Sequence, residues 1–189
     1  YLPGYTDSSG NPYGFEDPVY RIYKLTFGVN DNDRLAWPNI ALGNSDQGAP
    51  MFYDSLLGIL KPLDLGAQTM FYLYTDSYKN AHGSQGGSTA PLKADIKQLN
   101  FAYNISGSPL RNIIFSQFTI INRSTSTWNN AYFNIWTDDD LGNGQDDKIG
   151  CDSSLKMGYT YNGTNNDGIY GSNPPAVAVL LLKGVLKHT

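Results

Sequence analysis

Lys93-Ala94-Asp95-Ile96-Lys97-Gln98-Leu99-Asn100-Phe101-Ala102-Tyr103-Asn104-Ile105 alternates along its length. Leu99, Phe101, Tyr103 and Ile105 fall on one side of an extended chain, and the Lys and Asp positions come earlier in the run. A period of two predicts a strand with one covered face. Ser106–Pro109 follows as a turn, and Asn112–Asn122 (NIIFSQFTIIN) has the β-branched and aromatic content of a strand. The polar RSTST then leads to Ala131–Thr137 (AYFNIWT), where Tyr132, Asn134 and Trp136 oppose Phe133, Ile135 and Thr137. Long strands joined by short links predict an antiparallel meander.

Working outward, Val19–Phe27 and Gln68–Thr75 predict strands before this centre, and Leu155–Tyr161 and Ala176–Val185 predict strands after it. Residues 1–16 form a turn-rich lead-in, and Gly28–Pro50 is a long ordered loop dense in Asn, Asp, Gly and Pro. Phe52–Leu60 predicts a short helix, and 76–91, which holds HGSQGGS, a mobile loop. No repeat or linker divides the chain. The expectation is one domain over 1–189, all-β, an antiparallel β-sandwich of jelly-roll-like form with long ordered loops.

Composition agrees. Charged residues make up 16%, well below the usual quarter, so the polar surface must come from Asn, Ser, Thr, Gly and Tyr. Of 17 acidic residues only Glu16 is a glutamate. A helical protein uses Glu freely, whereas Asp competes with the helical backbone and belongs in turns and calcium loops. A net charge of −4 with scattered cations excludes a nucleic-acid binder. Cys151 is alone, so neither an internal disulfide nor a thiolate zinc site is available. The chain opens on Tyr1 without a basic–apolar leader, which reads as a mature or excised piece of a secreted protein. Its longest apolar run, Ala176–Leu182, is too short to span a bilayer. The expected location is extracellular or at the cell surface.

One loop carries chemistry. From Asp138 to Asp152, six carboxylates fall within fifteen residues, offset only by Lys148. Crowded carboxylates repel and raise one another's pKa unless a cation intervenes. Calcium takes six to eight oxygens in flexible geometry, and glycines at 142, 144 and 150 let carbonyls curl inward. Magnesium demands stricter geometry, and soft metals want His or thiolate. Counted from Asp138, the spacing is not that of an EF-hand: Gly142, Asn143 and Ile149 stand where that loop needs an acidic or amide ligand, a glycine and a glutamate. The expected ligands are Asp138, Asp140, Asp146 and Asp152, then Asp147, with Asp139 pointing away. The alternative is a solvated acidic loop without metal. Asn30–Asp33 reads as an Asx turn rather than a second cation site. Asn162–Gly168 reads as a plain turn, with the alternative that it folds back and donates a ligand.

DQGAP (Asp46–Pro50), FSQFTIINRS and IWTDDDLGNGQDDKIGCDSSLKMGYTYNGTNNDGIYGSNPPAV resemble modules of large secreted proteins of Bacteroidetes and Ignavibacteria. Those proteins carry a C-terminal type IX secretion sorting domain. The resemblance covers roughly residues 17–180. It implies an extracellular location and a multi-domain parent, and it supplies no function. The chain departs from it after P-P-A-V, where VLLLKGVLKHT replaces an aromatic–Gly–Pro segment. No sorting domain follows, so the chain reads as a fragment.

An enzyme is not expected. His82 lies in a Gly/Ser-rich loop and His188 next to the last residue, and no nucleophile elbow, phosphate loop or zinc-protease motif occurs. Nothing singles out a facing carboxylate pair for glycoside hydrolysis, Asp54 and Asp95 included. The first reading is a calcium-stabilised structural or adhesive surface module. Its late strand Val177–Leu182 could pair with a neighbouring copy in an oligomer or filament. The alternative is a carbohydrate-binding module that stacks a polysaccharide on loop residues Trp37 and Trp128, with Trp136 in the core.

Overall fold

The computed structural model describes residues 1–84 and 87–185; Gln85, Gly86 and Leu186–Thr189, His188 among them, lie outside the described residues. The strands are β1 (Leu2–Pro3), β2 (Tyr5–Thr6), β3 (Pro12–Tyr13), β4 (Tyr23–Thr26), β5 (Met51–Asp54), β6 (Ile59–Pro62), β7 (Gln68–Thr75), β8 (Ala94–Ala102) and β9 (Ile114–Asn122). They are followed by β10 (Asp147–Asp152), β11 (Met157–Asn162), β12 (Asn166–Asp167), β13 (Gly171–Ser172) and β14 (Ala176–Leu180). Every pairing among them is antiparallel and the fold is all-β. The chain groups into two compact units, Tyr1–Asn130 and Ala131–Thr189.

In the first unit, β7, β8 and β9 form the meander, with β4 and β1 sharing the other edge of β7. Alternation decides the register: buried and part-buried residues alternate along β7, so Thr69, Phe71, Leu73 and Thr75 face inward. Tyr23 opposes Phe71, and Phe71 opposes Leu99. These three join Leu25, Trp37 and Ala49 in the core. Trp37 lies 5.8 Å from Phe71, ring to ring, and its Nε1 donates to the Pro50 carbonyl at 3.0 Å. The Gly28–Pro50 loop is therefore ordered from within. Asp31 caps the short helix α1 (Asn32–Leu35), and Asp33 accepts from the Lys24 N–H and pairs with Arg21, which uses the Asn30–Asp33 carboxylates structurally.

Two sequence expectations fail locally. Phe52–Leu60 is no helix but the β5–β6 hairpin. Asp54 Oδ1 accepts from the Leu56 and Leu57 N–H groups, and Gly58 takes φ +67°, so turn chemistry outweighs helix propensity here. Ala131–Thr137 forms no ladder, and Tyr132 and Trp136 are exposed. Its β-rich composition expresses a fit to neighbouring strands, not a backbone preference that acts alone.

The open end of β7 and β8 is polar. Asp95, wholly buried on β8, accepts from the Thr6 N–H and Thr6 Oγ1, both at 2.9 Å, and from Arg123 Nε at 2.8 Å. Thr6 also contacts Thr75 and Ser77. Asp95→Ala leaves the buried Thr6 N–H without an acceptor and Arg123 Nε without its partner. The expected cost is about 2–4 kcal/mol, read as a lower urea midpoint at unchanged slope. A midpoint equal to the parent's would show that the network contributes nothing.

Candidate metal centre

The second unit has an unusual interior. Its buried described residues are Leu141, Thr160, Asn162 and Asp167, so polar groups occupy the place of an apolar core. The last six of the fifteen residues of the expected acidic loop are in fact strand. Asp147–Asp152 is β10, paired with β11 so that Asp147 opposes Asn162 and Ile149 opposes Thr160. Directly opposed residues share a face, with Cβ atoms about 4.5–5.5 Å apart. Asp147, Asn162 and Thr160 thus line one face of the hairpin.

Hydrogen bonds bring the loop onto that face. Asp147 Oδ2 accepts from the Leu141 N–H at 2.7 Å, and Thr160 Oγ1 donates to Asp139 Oδ2 at 3.4 Å. The 162–168 segment folds back. Asp167 accepts from the Asn143 N–H at 3.0 Å and from the Ile169 and Tyr170 N–H groups, both at 2.8 Å. Gly142, at φ +73°, leaves room for that carboxylate, and a side chain there would overlap it. The backbone N–H groups of Tyr170, Asn143 and Ile169 hold the Asp167 carboxyl below its ordinary value of 3.8. The stability this contributes is present above the unfolded-chain pKa and is lost as pH falls through the folded one. Carboxyl titration followed by NMR should place Asp167 below an ordinary aspartate, and Asp167→Asn should remove that part of the acid sensitivity. A normal Asp167 titration would contradict this.

Three side-chain oxygens in this region, Asp146 Oδ1, Asp147 Oδ1 and Asn162 Oδ1, are buried and without a hydrogen-bond partner. Buried polar atoms without partners are rare, and each costs about 1–3 kcal/mol. The backbone places their residues at one end of the hairpin: Asp147 opposes Asn162, and the Gly163 N–H donates to the Asp146 carbonyl at 2.9 Å. All three are hard oxygens, the donor type of calcium.

The expected ligands separate. Asp146 and Asp147 belong to this cluster. Asp140 is exposed beside Gly144, and Asp138 is exposed. Asp152 stands at the far end of β10, roughly 17 Å from Asp147 at strand rise and on the opposite face. There it accepts from Ser154 Oγ and the Ser154 and Leu155 N–H groups in the hairpin turn. Among the described residues no three His, Cys, Asp or Glu side chains group closely enough to hold a metal by themselves. Asn162–Gly168, expected as a plain turn with fold-back as the alternative, does fold back onto the acidic loop, and Asn162 stands across the hairpin from Asp147. Its signal was the Asn/Asp/Gly-rich run that begins there.

The aromatic sites divide as well. Trp37 lies in its expected loop but is wholly buried and offers no face to a ligand, which removes it as a stacking platform. Trp128 is half-buried, and Trp136, expected in the core, is 78% exposed. His82 is tied to the Asp76 carbonyl at 2.6 Å and to Thr89 Oγ1 at 3.3 Å. No helix among the described residues is long and apolar enough to cross a membrane. No protein-family model, no curated protein and no solved structure matches the chain.

Proposed function

We propose that a calcium ion bound at Asp146, Asp147 and Asn162 holds the Ala131–Thr189 unit together, and that the chain serves outside the cell as a structural or adhesive surface module of a larger secreted protein. The three buried, unpartnered oxygens carry this reading, in a unit whose interior is polar. A domain of this size without an apolar core needs a metal, disulfides or a partner, and Cys151 has no second cysteine to join. Asp167 acts one step back by fixing the acidic loop through the Asn143 N–H. A site with few protein carboxylates binds in the range of about 10⁻⁴–10⁻³ M typical of extracellular modules. Such a site fills only where calcium is plentiful, which agrees with a surface location. The resemblance to type IX secreted proteins points the same way, and assembly with further copies fits an adhesive role.

The test is calorimetric titration of the full chain with calcium, beside Asp147→Asn. This variant keeps an acceptor for the Leu141 N–H but removes the charge. It should weaken calcium binding at least about tenfold and, in EDTA, leave the protein as stable as the parent or more so. Equal binding by parent and variant would remove the assignment.

A further inference from the structure

Lys97 stands mid-strand on β8, on the face that carries Asp95 and Leu99, opposite Leu73. It is half-buried, yet among the described residues its ammonium joins no ion pair and donates no hydrogen bond. A cation on the covered face of a central strand is costly unless something pairs with it. The fold makes room for it: Gly48, at φ +65°, leaves the space that the Lys97 ammonium fills, and a side chain there would overlap it.

Arg123 is the second cation at this place. Its Nε is anchored by the buried Asp95, and its two terminal nitrogens make no hydrogen bond to any described residue. A guanidinium fixed at Nε presents its remaining fork in one orientation, which suits a carboxylate. Between the two cations is a cavity of about 340 Å³, lined also by Tyr5, Tyr20, Asp46 and Gln47. A second cavity of about 400 Å³ shares Tyr5 and Arg123 with it. The Tyr5 and Tyr20 rings lie 5.8 Å apart at 33°, and the Tyr20 ring packs on Gly14. Gln47 is held by its Nε2 on the Val19 carbonyl at 2.6 Å, while its buried Oε1 has no partner.

We propose that this double cavity binds the carboxylate-bearing sugar ring of an acidic glycan. Lys97 and Arg123 take the carboxylate, the tyrosine rings face the C–H side of the sugar, and Asp46 accepts from its hydroxyls. The paired rings and the Asp46 acceptor find no C–H face or hydroxyl on a compact inorganic anion. Every residue involved lies within Tyr1–Asn130, so the inference stands independently of the calcium site.

The test follows amide shifts in ¹H–¹⁵N spectra of the full chain titrated with D-glucuronate, its methyl ester and inorganic phosphate. Glucuronate should move Gln47, Gly48, Lys97 and Arg123, and the ester and phosphate should act at least about tenfold more weakly. Lys97→Met should weaken glucuronate binding roughly tenfold or more while melting no lower than the parent, because it removes an unpaired cation and keeps the stem. A lower melting temperature would make Lys97 a structural residue and overturn the proposal. So would an equal response to phosphate or to the ester, and so would the absence of any response to glucuronate.

Discussion

In calcium at about a hundred times its dissociation constant, the Ala131–Thr189 unit is expected to melt about 10–20 °C higher than in EDTA. Ligand binding to the folded state alone adds about 2.7 kcal/mol at that ratio. For a domain of this size each kcal/mol moves the midpoint by about 4–8 °C. The effect is large because little else is available. Leu141 is the one buried apolar residue among those described in the unit, and Asp146 Oδ1, Asp147 Oδ1 and Asn162 Oδ1 have no internal partner. Without a cation the acidic loop is held by hydrogen bonds alone, among them those to Asp147, Asp167 and Thr160. Hydrogen exchange on the full chain locates the change: amides of β10 and β11 should lose protection in EDTA while those of β7 and β8 keep theirs. Identical melting and exchange in calcium and in EDTA would refute the metal.

Trp37→Ala is expected to destabilise the Tyr1–Asn130 unit by about 3–5 kcal/mol, the usual range for removing a large aromatic from a core. The indole is wholly buried against Tyr23 and Phe71, and it also closes the Gly28–Pro50 loop through the Pro50 carbonyl. Substitution leaves both a cavity and an acceptor without its donor. Trp37→Phe should recover most of the packing and forfeit the hydrogen bond, costing about 1–2 kcal/mol. Denaturant midpoints measure both. A cost below about 1 kcal/mol for Trp37→Ala would mean that the indole is not the centre of this core.

The two variants bear on how far sequence reasoning reaches. Gln68–Thr75 was legible to the residue, because its alternation coincides with the pleat and one face is buried. The edges of β8 and β9 shifted by up to three positions, as element ends do. Trp37 was read as a surface platform because its neighbours Pro38, Asn39 and Gly43 are loop formers, and local composition does not reveal that a loop can fold inward around a single indole. Ala131–Thr137 shows the converse, since strand-like composition forms no ladder there.

The sequence alone determined the class: Asp without Glu, β-branched and aromatic runs at period two, and turn residues between them exclude a helical fold and locate the acidic loop. Only the tertiary structure decided which oxygens are buried without a partner. The pairing of Asp147 with Asn162 sets an amide beside carboxylates and sends Asp152 to the far end of the same strand. Register is a property of two strands at once, and a shift of one residue turns every side chain to the other face. For that reason no count of aspartates along one strand could name which carboxylate stands across from an amide.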